Sequence, residues 1–206
     1  YPLRMRNLIR KGLLVPSLWI AALLLLGASS VRADAIGAEL ILLTTHLQQQ
    51  RDADIARYAR RLDDEGRNVL TPGIEVSYEW NLRQPWLLAK QNRVTLGLLS
   101  DSAERRFGYI AYLARWEPYT SDTWGVSMQA GPGFIWRETW RVFPEYRANN
   151  SLRQSKSFLP GYEWALLPLG EVDLLYAWSS SSKLVWSVFP GIPYVVTQSF
   201  GFRWEF

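Results

Sequence analysis

Three residues of this chain could together activate a hydroxyl group. His46 is the single histidine among 206 residues, and Asp101 is followed directly by Ser102. A histidine can take a proton from a hydroxyl near neutral pH, and a carboxylate can hold the imidazole in the required tautomer. Ser102 would then be the nucleophile or a hydrogen-bond donor to a developing oxyanion. A purely structural interpretation is also open, in which His46 is an interfacial side chain and the Asp-Ser pair begins a turn.

The composition excludes several other kinds of site. The chain has no cysteine, which rules out a disulfide framework, a thiolate zinc site and a cysteine nucleophile. A single histidine rules out a multi-histidine site, so we predict no metal centre. Intrinsic disorder is excluded because disordered chains are poor in aromatic residues, and this chain has 11 Trp, 10 Tyr and 8 Phe.

The first 35 residues have the layout of a secretory signal peptide. A basic start after Met5 precedes an apolar run over residues 13–27, and Ala33-Asp34-Ala35 forms an A-x-A cleavage pattern. The run is shorter than the ~20 residues of a membrane-spanning helix. We therefore predict a signal peptide over residues 1–35 and an exported domain over residues 36–206. Its removal takes away five basic residues and one acidic residue and leaves 18 of each, so we expect no nucleic-acid partner.

Residues 194–206 alternate between two kinds of side chain. One face is largely aromatic and the other carries small residues with Arg203 and Glu205. Period-two alternation places these sets on opposite faces of a β-strand. A soluble protein would bury the aromatic face, whereas a membrane barrel turns it to lipid and keeps the polar face inside. The segment ends on Phe206, and a terminal aromatic residue on such a strand is typical of bacterial outer-membrane barrels.

Seven further strand-like segments complete an all-β architecture, an eight-stranded antiparallel transmembrane barrel of the bacterial outer membrane. The predicted strands cover about residues 37–48, 73–82, 94–100, 107–116, 124–136, 167–179, 184–189 and 194–206. With both termini in the periplasm, odd-numbered strands run outward, and the long segments 49–68 and 137–163 are outer loops. The first and third strands then end at one rim, ~10 Å apart. His46 and Asp101-Ser102 lie at these two ends.

The order of these motifs resembles the lipid A palmitoyltransferase (PagP) family, whose eight-stranded barrels carry essential His, Asp and Ser residues at the outer rim. In that family a histidine closes the first strand and an Asp-Ser pair closes the third, as His46 and Asp101-Ser102 do here. Three short motifs are similar as well: Gln129-Ala130-Gly131, Leu166-Leu167-Pro168-Leu169 and Phe189-Pro190-Gly191. The resemblance extends from about residue 40 to residue 206 as short motifs in order.

The resemblance implies acyl transfer in the outer leaflet, from a phospholipid donor to lipid A of lipopolysaccharide, without a cofactor. His46 would be the general base, Asp101 would orient or polarise, and Ser102 would be the nucleophile or oxyanion donor. The acyl chain would enter the barrel, where Gly97 and Gly131 could make room. Outer-loop arginines would pair with lipid A phosphates: Arg105, Arg106 and Arg137. We expect the protein to be a monomer in the bilayer.

Other functions remain open at this point. A non-catalytic barrel, such as an adhesin or a surface-resistance protein, would have the same strands and no use for His46 and Ser102. A lipid A deacylase is a third candidate, but residues 46–48 lack the His-x-Ser motif of that family. A soluble periplasmic lipid-binding barrel is a fourth, and it would lack the terminal aromatic signal.

Overall fold

Nine strands and one short 3-10 helix make up the described part of the chain. The computed structural model describes residues 34–46, 67–86, 89–101, 103–142, 153–154, 161–191 and 195–206. The strands are β1 (Ala35–His46), β2 (Asn68–Trp86), β3 (Ala89–Ser100), β4 (Arg106–Thr120), β5 (Trp124–Glu138), β6 (Arg153–Gln154), β7 (Tyr162–Ser179), β8 (Ser182–Gly191) and β9 (Val195–Glu205). The 3-10 helix covers Trp140–Val142. The predicted signal peptide lies outside the described residues, except that its last residues, Asp34 and Ala35, adjoin and begin β1.

Eight of these strands form a closed antiparallel barrel. Consecutive strands pair from β1 to β5, β5 pairs with β7, and the ring closes through β8 and β9 back to β1. The two-residue β6 is an addition outside the ring, on the edge of β7. This arrangement confirms the predicted fold class.

The two ends of the barrel differ in the length of their connections. Asp34 and Phe206 lie together at one end, the terminal end, where the backbone N–H of Phe206 donates to the carbonyl of Asp34. The strands at this end are joined by residues 87–88, 121–123 and 180–181. The other end, the loop end, has the connections 47–67, 101–105, 139–161 and 192–194. The two longest connections therefore share one end, as the sequence predicts.

Side chains alternate between the outer wall and the interior along the strands. On β9, Phe200 and Trp204 are 50% and 40% exposed, whereas Arg203 is 3% exposed. On β2, Ile74 and Val76 are exposed and Glu75 is buried. An apolar outer wall around a polar interior is the pattern of a transmembrane barrel and the inverse of a soluble one. The predicted orientation of β9 is confirmed, and β2 follows the same pattern.

The barrel interior contains two distinct layers. Toward the loop end lies an apolar layer: Ile41, Tyr109, Ala111, Leu113, Ile135 and Leu169, with further apolar side chains packed against it. Toward the terminal end lies a buried ion-pair network: Glu39, Glu75, Glu79, Arg93, Arg115, Glu171, Asp173 and Arg203. The hydroxyl of Tyr109 donates to Glu75 and joins the two layers.

Six of the eight barrel strands are longer than the sequence predicts, and the predicted end of one strand at residue 189 is wrong. Pro190 and Gly191 remain in β8 and pair with Val196 and Val195 of β9, where we expected the ladder to stop. The break occurs only on the other edge, since the pairing of β8 with β7 ends at Val188. A proline removes one backbone donor, which serves one edge of a strand and leaves the other edge able to pair.

Within the described residues, no helix is long and apolar enough to span a membrane.

Candidate functional site at the loop end

The structure places the predicted catalytic positions at the same end of the barrel but out of register with each other. In the β1–β2–β3 register, Ile41, Gly73 and Leu99 lie side by side. His46 lies five positions beyond Ile41, and Asp101 lies two positions beyond Leu99. The two residues are thus about three positions out of register, which corresponds to about 10 Å along the strands. The two strand spacings between β1 and β3 add about 10 Å across the sheet. Ser102 and the side chain of His46 lie outside the described part of the structure.

Asp101 organises the connection between β3 and β4. Its Oδ1 accepts hydrogen bonds from the backbone N–H groups of Ala103 and Arg105, at 3.0 and 2.8 Å. Its backbone carbonyl accepts from the N–H of Glu104 at 3.0 Å, and Glu104 has a φ of 59°. A side chain that bonds nearby backbone N–H groups in this way stabilises a tight turn.

The second carboxylate oxygen of Asp101 reaches another loop. The indole N–H of Trp140 donates to Oδ2 at 2.6 Å, so that the 3-10 helix after β5 is attached to the β3–β4 connection. Burial raises the pKa of Asp101, although the hydrogen bonds from Trp140 and the two backbone groups act in the opposite direction. Both oxygens therefore have structural partners, which favours the turn-forming role.

Two of the predicted phosphate-binding arginines share one carboxylate. Arg105 Nη1 lies 3.9 Å from Glu138 Oε2, and Arg106 Nε lies 3.8 Å from Glu138 Oε1. The side chain of Arg106 is 60% exposed, against 29% for Arg105. Glu138 at the end of β5 therefore links to the start of β4.

The third predicted arginine belongs to a buried cluster around Glu163. Glu163 is fully buried and accepts hydrogen bonds from Arg137 Nε and Arg141 Nε, each at 3.2 Å, and from Thr139 Oγ1 at 2.6 Å. The guanidinium of Arg137 also lies over the ring of Trp140, 5.2 Å from its centroid. These contacts hold the start of the β5–β7 connection against the barrel.

The two predicted acyl-chain glycines lie at close contacts. A methyl group on Gly97 would overlap the ring of Tyr109, and one on Gly131 would overlap the backbone carbonyl of Tyr112. The space beside Gly97 is therefore occupied by Tyr109, and Gly131 permits a close approach of β4 to β5 where their pairing is interrupted. Their assignment to an acyl-chain site stays a prediction.

The ion-pair network fills the interior on the terminal-end side of the apolar layer. Arg93 lies 3.1 Å from Glu39, 2.5 Å from Glu75 and 3.4 Å from Glu171. These three carboxylates come within 4.8 Å of one another, a spacing that could suit a cation. The guanidinium of Arg93 already lies among them and supplies the positive charge. The space between this network and Gly37 is too small for a water molecule.

Alternation in residues 194–206 predicts an inward face that carries charge, but we did not predict that such charges from several strands form one network. The signal was present, because Glu39, Glu75, Arg93, Arg115 and Asp173 all occupy inward positions of a period-two pattern. We also predicted no role for Trp140, Glu138 and Glu163, which lie at a strand end or in a loop. No periodicity marks such positions.

The arrangement of the outer wall assigns the protein to the bacterial outer membrane. Large apolar side chains are exposed on the barrel wall, while the charged side chains of the spanning strands are buried inside. Tryptophans lie near the terminal end of five strands, as in the aromatic girdle at a membrane interface: Trp80, Trp116, Trp124, Trp178 and Trp204. A closed antiparallel barrel of this polarity is an outer-membrane protein.

No protein-family model matches the chain, and no curated protein is similar to it in sequence. Among solved structures, Ail of Yersinia pestis, crystallised with the heparin analogue sucrose octasulfate, is 10% identical; the match covers 85% of this chain and 100% of that one, with a TM-score of 0.45. Neisserial surface protein A is 10% identical over 84% of this chain and 96% of its own, with a TM-score of 0.48. The β-barrel domain of Pseudomonas aeruginosa OprF is 11% identical over 84% and 98%, with a TM-score of 0.41. Similarity at this level concerns strand architecture and carries no information about activity or ligands.

Proposed function

We propose that this protein is a small non-catalytic outer-membrane barrel that acts through its loop end. The observation that carries this proposal is the packed interior. The apolar layer and the ion-pair network occupy the two halves of the barrel, and the space beside Gly97 is taken by Tyr109. An eight-stranded barrel is just wide enough for its own side chains, so a filled interior has no place for an acyl chain.

The contacts of the candidate catalytic residues support the same function. Asp101 uses both carboxylate oxygens to hold loops, and it lies out of register with His46. A general base and its orienting carboxylate need to lie within hydrogen-bond reach, directly or through one water. The described contacts of Asp101 thus support a structural task for this residue.

The outer connections supply the surface through which such a barrel would act. Residues 143–160 contain two arginines and one lysine with a single acidic residue, together with Phe and Tyr. Residues 47–66 combine four arginines with five acidic residues. Surface loops on a rigid scaffold are the usual sites of recognition, and these are the longest connections of the chain.

The proposal is tested by expression in a bacterium without its own lipid A acyltransferase. We expect an unchanged lipid A mass spectrum while the barrel is folded and surface-exposed. Attachment of the cells to a host-cell layer and their survival in serum should change, and replacement of residues 143–150 by Gly and Ser should abolish that change. A lipid A species heavier by one acyl chain would refute the non-catalytic function.

Acyl transfer to lipid A is the second candidate, and one observation favours it. The pairing of β7 with β8 stops at Val172 and Val188 in the described residues. An apolar groove of about 340 Å³ adjoins this point, and it is lined by Trp116, Met128, Ala130, Gly170, Val172 and Pro190 among others. A lipid chain in the bilayer could approach the barrel there, and the apolar layer lies at the same end as His46 and Asp101.

The same mass spectrum separates the two candidates when three variants are included. If the protein is a transferase, the added species should be lost in His46→Ala and in Ser102→Ala. It should persist in Asp122→Asn, which removes a carboxylate from an exposed turn at the terminal end. A lighter lipid A would instead indicate a deacylase.

A further inference from the structure

The ion-pair network of the barrel interior contains more negative than positive groups. Its buried members among the described residues are five carboxylates and three guanidinium groups: Glu39, Glu75, Glu79, Glu171, Asp173, Arg93, Arg115 and Arg203. If all of them were ionised, two negative charges would have no counter-charge within the network. A charge removed from water without a partner is costly, and an ionisable group in that position becomes neutral instead.

The excess of negative charge is concentrated around Arg93. Its Nη2 lies 3.1 Å from Glu39 and 2.5 Å from Glu75, and its Nη1 lies 3.4 Å from Glu171 and 3.7 Å from Asp173. One guanidinium group therefore serves four buried carboxylates. Oxygens of Glu39, Glu75 and Glu171 lie within 4.8 Å of one another, a distance at which like charges repel strongly away from water.

Glu79 has the opposite surroundings. Arg115 Nη1 lies 2.5 Å and Arg203 Nη2 lies 2.9 Å from its Oε2, and Arg93 Nε lies 3.9 Å from its Oε1. These positive neighbours stabilise Glu79 as a carboxylate. Glu117, which also contacts Arg115 and Arg203, is partly exposed and adds negative charge on that side. Arg115 and Arg203 thus have carboxylates of their own and do not offset the excess around Arg93.

The other polar neighbours of the carboxylates around Arg93 donate hydrogen bonds but carry no charge. They lie on four further strands: Ser199 with Glu39, Tyr109 with Glu75, Gln129 with Glu171, and Ser127 and Ser187 with Asp173. Gln129 is buried, and its Oε1 has no hydrogen-bond partner among the described residues. A carboxylate can only accept, whereas a protonated carboxyl group can donate. Acceptors thus exceed donors beside Glu171, which indicates a missing proton.

We propose that the carboxyl groups of Glu39, Glu75 and Glu171 together hold at least one proton at neutral pH, so that the barrel interior is a proton-binding site. The charged and titratable groups that face these three are Glu79, Arg93, Tyr109, Arg115, Asp173 and Arg203. From β5 and β8, the described neighbours are the uncharged Ser127, Gln129 and Ser187. The site is enclosed within the barrel and is independent of both functions considered above.

Folding of the barrel then takes up protons. In the unfolded chain these glutamates are in water, where they ionise above about pH 4.3. Above that pH the folded state binds more protons than the unfolded chain, so the free energy of unfolding declines as the pH rises. The interior packing is therefore weakened by alkaline conditions and strengthened by mildly acidic ones.

The first experiment is urea unfolding of the full-length barrel in phospholipid vesicles, from about pH 5 to about pH 8. The double variant Glu39→Gln/Glu171→Gln leaves three buried carboxylates for the three guanidinium groups. We expect its urea midpoint to decline less with pH than that of the wild type, by a slope that corresponds to about one proton. Glu79→Gln is the matched control, since it makes the same substitution beside Arg115 and Arg203. It should lower the midpoint at every pH and retain the wild-type slope.

The second experiment detects the proton directly in the folded protein. Infrared spectroscopy at neutral pH should show the C=O band of a protonated carboxyl group in the wild type and in Glu79→Gln, and this band should be lost in the double variant. Heat-dependent gel mobility checks folding, and Glu171→Gln replaces the double variant if the latter fails that check. Absence of the band from the wild type, or a wild-type slope in the variant, would overturn the proposal. A wild-type midpoint that falls on addition of EDTA would also overturn it, because a bound cation would then supply the missing charge.

Discussion

The indole nitrogen of Trp140 donates a 2.6 Å hydrogen bond to Oδ2 of Asp101, across a sequence separation of 39 residues. This bond connects the short β3–β4 connection with the start of the long connection after β5. The bond gives Asp101 a structural role in holding these two connections together.

Replacement of Asp101 by Asn tests this structural role. The amide retains one acceptor oxygen for three donors, so we expect a loss of about 1–3 kcal/mol in the free energy of unfolding. The measurement is urea unfolding in lipid vesicles, followed by tryptophan fluorescence. Asp122→Asn, in an exposed turn at the terminal end, serves as the control and should be close to wild type.

Asp101→Asn should also change how the stability of the protein depends on pH. Because burial raises the pKa of Asp101 above its ordinary value of 3.8, the folded protein binds this proton more tightly than the unfolded chain. The contribution of Asp101 to stability is therefore greatest below pH 3.8 and declines as the pH rises from there through the raised pKa. Asp101→Asn should lack this decline, and an identical pH profile in both proteins would contradict the assignment.

Removal of Arg93 should be among the most damaging single changes in the barrel. Arg93→Met leaves Glu39, Glu75 and Glu171 buried without their shared guanidinium, which costs about 3–5 kcal/mol. Lys183→Gln breaks a 2.8 Å ion pair with Glu205 in which both side chains are partly exposed, and it should cost below about 1 kcal/mol. Equal losses of unfolding free energy in the two variants, measured by urea unfolding, would contradict the role of Arg93 as the shared partner of these carboxylates.

A methyl group at Gly97 distinguishes a filled interior from an acyl-chain site. Gly97→Ala should lower stability by about 1–3 kcal/mol because the new methyl meets the Tyr109 ring. In a Tyr109→Ala background that cost should largely disappear, which a double-mutant cycle measures. Gly125→Ala is the matched control, since its nearest neighbours would lie at 3.5 Å. A Gly97→Ala protein of wild-type stability would mean that the space beside Gly97 is open.

The membrane orientation is tested by a charge on the outer wall. Val76 is 48% exposed in the middle of β2, so Val76→Arg should cost about 2–4 kcal/mol in a bilayer. Thr120→Arg, at the exposed end of β4, should cost almost nothing. The comparison uses unfolding in phospholipid vesicles, and a Val76→Arg variant as stable as Thr120→Arg would contradict a lipid-facing position.

The alternation along single strands was the part of this protein that could be predicted. Phe200, Phe202 and Arg203 point to opposite sides because successive residues of a strand do so, whatever the rest of the chain does. The ends of strands were less predictable. Pro190 remains in β8 because its pairing with Val196 of β9 needs no backbone N–H from the proline, and that depends on which edge of the strand the missing donor would face.

The sequence by itself determined the fold class, the direction of each face and the end at which the candidate residues lie, because these follow from local periodicity and from the order of connections. The tertiary structure alone decided the register offset between His46 and Asp101, the meeting of Arg93 with carboxylates of other strands, and the placing of Tyr109 beside Gly97. These depend on the register between strands and on side chains that meet across the interior. Such contacts join residues distant in the chain, and no periodicity in a single strand records them.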